Sequence, residues 1–164
     1  MPSESSSVYR FGDLLALARE YWVRDMTDEL AQAGFPDYRR SDAALVRLLL
    51  RGPKPVVRIG EALRISRQAA RKLVRGLERR GYAQTATSTT DARRLEVSLT
   101  PRGEDFAHAV VATITRLNRR MAERVDPQQL LAADAVLRAS LPDEHARALA
   151  ERLIPTPRAE DLGG

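Results

Sequence analysis

Residues 59–103 read IGEALRISRQAARKLVRGLERRGYAQTATSTTDARRLEVSLTPRG. A short helix over about 58–63 is expected first, then a tight turn at Arg64-Ile65-Ser66, then a longer helix. Ser66 suits the N-cap of that second helix, because its hydroxyl can accept a backbone N–H left free in the first turn. Ala70, Leu73, Val74 and Leu77 recur at helical spacing and form a core stripe. Beyond Gly81 the period changes to two: Leu95, Val97 and Leu99 alternate with Glu96 and Ser98, as a strand with one buried face requires. Tyr82 to Thr87 supplies the partner strand. Helix, turn, basic helix and hairpin in that order make a winged helix-turn-helix.

The face of the second helix opposite its core stripe carries Gln68, Lys72, Arg75 and Arg79, flanked by the small residues Ala69 and Gly76. A helix that lies in the major groove needs long polar groups aimed outward with small residues beside them. Gln can pair with adenine edges, Arg or Lys with guanine edges, and an Ala methyl can touch a thymine methyl. On this reading Gln68, Ala69 and Lys72 approach base edges, while Ser66, Arg67, Arg71 and Arg75 position phosphates. A solvated helix that happens to be basic has the same outer face, so the stripe alone leaves both readings open. Between the strands lies 88–94, STTDARR, with Arg93 and Arg94 at the hairpin tip. An Arg on a projecting tip can enter a narrow minor groove, where negative potential concentrates. The expected division has Arg93 in the groove, Asp91 orienting it and Arg94 near the backbone. A polar loop tip is the plainer alternative.

The run from about Phe35 to Gly103 resembles the MarR family of bacterial transcriptional regulators. The matching pieces are SDAALVRLL at 41–49, IGEALRISRQAA at 59–70, LVRGLERRGY at 73–82, and DARR at 91–94 leading into LTPRG at 99–103. The D-x-R wing followed by L-T-x-x-G is the most specific of these. The resemblance implies a mainly α fold with a small β-wing, and a homodimer whose contacts come from the chain ends. It also implies a repressor that reads a pseudo-palindromic operator in double-stranded DNA and is released by a small-molecule effector. Tyr21, Trp22, Tyr38 and Arg39 are the residues expected to line the effector pocket; Trp22 as a core residue and Tyr38 as a turn residue is the plainer reading of those aromatics, since aromatics dominate cores. The alternative function is a winged-helix protein-interaction or architectural module without ligand control. There the outward face of the second helix would be apolar or acidic, unlike Gln68, Lys72, Arg75 and Arg79.

Composition agrees. The chain has 164 residues, enough for one domain-sized core, and 43% of them are hydrophobic. Net charge is +5 and the pI about 10.2, which suits a polyanionic partner. Residues 41–103 hold fourteen Lys and Arg against five Asp and Glu, a surplus of nine, so the rest of the chain is net −4. The basicity is concentrated where the motif lies, as an electrostatic footprint should be. There is no cysteine, which excludes disulfides and thiol redox sensing. No apolar run approaches the roughly 18 residues of a membrane span, and the Ser-rich start lacks the basic and apolar regions of a secretory signal. A cytoplasmic protein is expected. His108 and His145 lack a third ligand at convincing spacing, so no metal and no cofactor are expected. No nucleophile–base pair, phosphate loop or carboxylate dyad suggests an enzyme.

The expected organisation is a disordered arm over 1–7, an N-terminal dimerisation helix over 8–34, a DNA-binding lobe over 35–100, C-terminal dimerisation helices over 101–154 and a flexible tail over 155–164. Gly34 should end the first helix as a C′ residue. Ser41 should cap a second helix, broken by Gly52-Pro53-Lys54-Pro55. Thr100-Pro101 and Asp126-Pro127 should each open a helix with a cap followed by Pro at the first position, and Gln129 sits where a capping box wants it. Pro142 should stop that helix, and a last short one should start at Asp143.

Overall fold

The computed structural model describes residues 10–88, 93–142 and 144. The expected N-terminal arm, Asp91, His145, the last short helix and the C-terminal tail lie outside these residues. Among the described residues six helices and one hairpin follow in order: α1 Phe11–Gln32, α2 Asp42–Leu49, α3 Val56–Leu63, α4 Arg67–Arg79, β1 Ala83–Thr87, β2 Leu95–Leu99, α5 Pro101–Ala122 and α6 Pro127–Ala139. The architecture is mainly α with a small β-wing.

Local chemistry sets most of the boundaries. Ser66 Oγ accepts from the Ala69 N–H at 3.1 Å and opens α4. Thr100 Oγ1 accepts from the Gly103 N–H at 3.0 Å and opens α5, with Pro101 at the first position. At α6 the capping box is complete: Asp126 Oδ1 takes the Gln128 N–H at 2.7 Å and Gln129 Oε1 takes the Asp126 N–H at 3.0 Å. Gly34 and Gly81, with φ of +93° and +74°, end α1 and α4. In each case the next residue reaches back to the last turn, Phe35 N–H to Leu30 O at 2.8 Å and Tyr82 N–H to Leu77 O at 3.0 Å, in Schellman geometry.

Ser41 departs from expectation. Its backbone is already helical and its side chain makes no capping bond. The chain turns into α2 before Ser41, and the Asp42 carboxylate reaches back to accept the Arg39 N–H at 2.8 Å, a bond of the reverse kind to an N-cap.

The hairpin is antiparallel, with Ala83 opposite Leu99, Thr85 opposite Val97 and Thr87 opposite Leu95. Lys54 adds a one-residue third strand: its N–H donates to Val97 O at 3.0 Å and Val97 N–H returns to Lys54 O at 2.9 Å. Val97 and Leu99 are buried, but Leu95 is 63% exposed. The alternation is correct in phase and fails in burial, because Leu95 lies beyond the Lys54 bridge, where the hairpin has left the lobe.

The core joins the second half of α1 (Met26, Leu30) to α2 (Leu45, Val46, Leu49), α3 (Ile59), α4 (Ala70, Val74, Leu77), β2 and α5 (Phe106, Val110, Leu117). An aromatic cluster ties the segments together. Tyr82 stacks on Phe106 with centroids 4.4 Å apart, and Phe35 meets Phe106 at 5.2 Å. Such pairs contribute about 0.5–1.5 kcal/mol each beyond their buried area. The stretch from Arg10 to Tyr21 and the whole of α6 bury no residue.

Candidate nucleic-acid interface

The outer face of α4 is set by the core stripe beneath it. Ala70, Val74 and Leu77 are buried and Leu73 is half-buried, which fixes the rotation of α4 about its axis. Arg67, Gln68, Arg71, Lys72, Arg75 and Arg79 are consequently exposed, Ser66 is exposed at the cap and Ala69 is half-buried among them. Gly76 is buried rather than flanking that face. Among the described residues no carboxylate lies within ion-pair distance of Arg67, Arg71, Lys72, Arg75 or Arg79. Opposite charges at i±3 or i±4 are what stabilise a solvated charged helix face. Here Glu78, the only acid on α4, instead accepts from Thr85 Oγ1 at 2.6 Å and so ties the helix to β1.

On the wing, Arg93 and Arg94 are exposed. The ladder continues past the strands, with Ser88 N–H donating to Arg94 O at 2.7 Å. The placement of Asp91 relative to Arg93 falls outside the described residues.

A buried polar network, to which no sequence pattern points, fixes the far end of α4. Arg80 donates to both Asp42 oxygens at 2.7 and 2.9 Å, to Asp37 O at 2.8 Å and to Gly76 O at 2.9 Å. Its side chain is 11% exposed and that of Asp42 is 3% exposed. Hydrogen bonding to Asp42 outweighs desolvation and holds the Arg80 guanidinium pKa above its usual value. Tyr82 Oη donates to Asp37 Oδ1 at 2.6 Å. Burial, then that bond, push the Tyr82 hydroxyl pKa up, so it stays a donor at neutral pH. The network locks the end of α4 to the α1–α2 turn and to α2. Its partners lie about forty positions apart in sequence, which is why local periodicity is silent about it.

The four residues expected to line an effector pocket are spread over different environments. Trp22 and Tyr38 are half-buried against the core, Tyr21 is half-exposed beneath the Arg24 guanidinium at 4.4 Å, and Arg39 is exposed. None of the four lines either of two surface clefts, one beside the helix-turn-helix turn and one between α1 and α5. His108 is exposed on α5. No group of three or more His, Asp or Glu among the described residues could hold a metal ion. No described helix is long and apolar enough to cross a membrane.

No protein-family profile matches the sequence, and no curated protein is detectably similar to it. Solved structures are similar. MarR of E. coli, as a mutant complexed with operator DNA, superposes with a TM-score of 0.65 at 15% identity, over 85% of this chain and 99% of that one. The chain has the MarR-type winged-helix fold. A Pseudomonas aeruginosa protein described as a probable transcriptional regulator matches with a TM-score of 0.61 at 25% identity, over 78% of this chain and 94% of the other. A mutant of MepR from S. aureus bound to an oligodeoxyribonucleotide matches with a TM-score of 0.54 at 17% identity, over 80% and 95%. The match to MarR spans nearly the whole of that chain, so the MarR-type likeness includes helices outside the winged lobe as well as the lobe itself.

Proposed function

We propose that this chain is a homodimeric, sequence-specific DNA-binding regulator of transcription, acting as a repressor that a small-molecule effector releases. The observation that carries the DNA-binding part is the outer face of α4: five cations without an acid partner among the described residues, held outward by a buried stripe and set in the same lobe as a basic wing. Two of the similar structures hold DNA on this fold. The repressor role and release by an effector rest on the family resemblance, with Tyr21, Trp22, Tyr38 and Arg39 as the residues assigned to it.

The dimer has its own support. Phe11, Leu14, Leu15 and Leu17 on α1 are 41–61% exposed, and Met121, Val125, Leu131, Val136 and Leu137 at the other end are 37–49% exposed. An isolated helix of the length of α6 is marginal in water unless an apolar face is packed, and α6 buries nothing within its own chain. Pairing by twofold symmetry would cover both ends. The domain roles follow: dimerisation by 8–34 and 101–154, DNA reading by 35–100. A twofold dimer sets its two reading helices in successive major grooves, about 34–36 Å apart.

On this reading Gln68, Ala69 and Lys72 meet base edges, Ser66, Arg67, Arg71 and Arg75 hold phosphates, and Arg93 enters the minor groove with Arg94 at the backbone and Asp91 orienting the tip. The test separates the two kinds of contact. Gln68→Ala should cost about 1–3 kcal/mol and relax preference at one base position, whereas Arg75→Ala should weaken all sequences alike and flatten the salt slope by about 1 per half-site. Fluorescence anisotropy on matched and single-substituted duplexes reads both. A Gln68→Ala variant with unchanged affinity and base preference would show that another face reads the DNA.

A further inference from the structure

Glu78 is the single acid on α4, set among five cations. Side chains on a helix meet at spacings of three and four, not at one. At those spacings Glu78 has one cation for a neighbour, Arg75; Val74, Gly81 and Tyr82 occupy the other places. An Arg and a Glu three apart on an exposed helix ordinarily attract each other. Here they form no ion pair. The carboxylate is taken by the hairpin instead: Thr85 Oγ1 donates to Glu78 Oε1 at 2.6 Å, the length of a strong charge-assisted bond.

The placement of Thr85 follows from the turn between α4 and β1. Gly81 reverses the chain, and Thr85 shares a face of β1 with the buried Ala83, so its hydroxyl returns to the last turn of α4. The hairpin has other means of support, its own ladder and the buried Ala83, Val97 and Leu99, and Thr85 itself is exposed. What the bond changes is the electrostatics of α4. A carboxylate free to pair with Arg75 competes with a DNA phosphate for the same guanidinium. We propose that Thr85 is a positioning residue for DNA binding, which holds the Glu78 carboxylate on the hairpin and so keeps Arg75 available to the DNA backbone. This rests on the proposed DNA-binding function and adds to it a residue that touches no DNA.

The test uses the full-length chain and a labelled random-sequence duplex of about 30 base pairs, long enough for two half-sites, because a phosphate contact acts on every sequence alike. Thr85→Val removes the hydroxyl and keeps the β-branched shape. It should bind about twofold more weakly per half-site, or about fourfold for a dimer, as expected for a helical ion pair formed in the free protein. Its melting temperature should stay within about a degree or two of the parent, as for a surface substitution. Thr85→Ser should bind like the parent. Glu78→Gln should bind at least as tightly as the parent, and adding Thr85→Val to it should change nothing, since no charge is then left to release. Thr85→Val should likewise have no effect on top of Arg75→Ala. Parent-like binding by Thr85→Val would overturn the assignment. So would a loss that persists in the Glu78→Gln or the Arg75→Ala background, because Thr85 would then act on the DNA or on the hairpin itself. A parent that does not bind the duplex at all would overturn the DNA-binding reading, a result distinct from these.

Discussion

Gly103→Ala should destabilise the fold by about 3 kcal/mol, near the upper end of what an added methyl costs in a packed interior. Gly103 is in the first turn of α5 with ordinary helical backbone, so its need is for space. A Cβ built there would overlap the carbonyl oxygen and carbon of Tyr82, which are main-chain atoms that no rotamer change can move aside. The same carbonyl accepts the Thr100 N–H at 3.1 Å, while Thr100 Oγ1 donates to Gly81 O at 2.6 Å. The start of α5 is thus clamped to the end of α4 over a distance that a methyl group cannot share. At about 2–4 °C per kcal/mol for a chain of this size, the melting temperature should fall on the order of 10 °C. A melt within a degree or two of the parent would mean that α5 does not approach Tyr82 this closely.

The second large effect is expected at the buried pair. Arg80→Met leaves the Asp42 carboxylate, 3% exposed, without its cation. Breaking a buried pair from one side typically costs about 3–5 kcal/mol, whereas replacing both members by apolar groups is often close to neutral. Arg80→Met with Asp42→Leu should therefore recover much of the loss seen in Arg80→Met alone. Recovery should be incomplete, because Asp42 also accepts the Arg39 N–H and Arg80 also serves the Asp37 and Gly76 carbonyls. Denaturant unfolding of the two single variants and the double variant gives the coupling energy directly. Strict additivity of the two single losses would show that the pair does not interact as described. The pair anchors the C-terminal end of α4, the helix proposed to read DNA, while the Ser66 cap sets the other end.

What is legible in the sequence is local. The caps at Ser66, Thr100 and Asp126 are short-range hydrogen-bond patterns. The stripe Ala70, Val74, Leu77 is a matter of period, and so is the outward face it implies. What is not legible depends on distant partners or on shape. Asp42 and Arg80 are 38 positions apart, so Arg80 reads only as one more cation in a basic run. The pattern puts Tyr82 at the start of a strand, but it stacks on Phe106 and donates to Asp37, contacts that exist only once α5 and the α1–α2 turn have packed. Leu95 follows the alternation yet faces solvent, because the burial of a strand residue depends on what lies over it. The left-handed Arg64 is hidden for the opposite reason: the turn contains no glycine to mark it.

Selection of bound duplexes from a random-sequence pool tests the central claim most directly, because the pool contains every candidate operator and the protein makes the choice. The account predicts enrichment of a pseudo-palindrome whose half-site centres lie about 10–10.5 base pairs apart, as two reading helices on a twofold dimer require. Recovery of no enriched sequence, or of a single asymmetric half-site without a twofold partner, would contradict it.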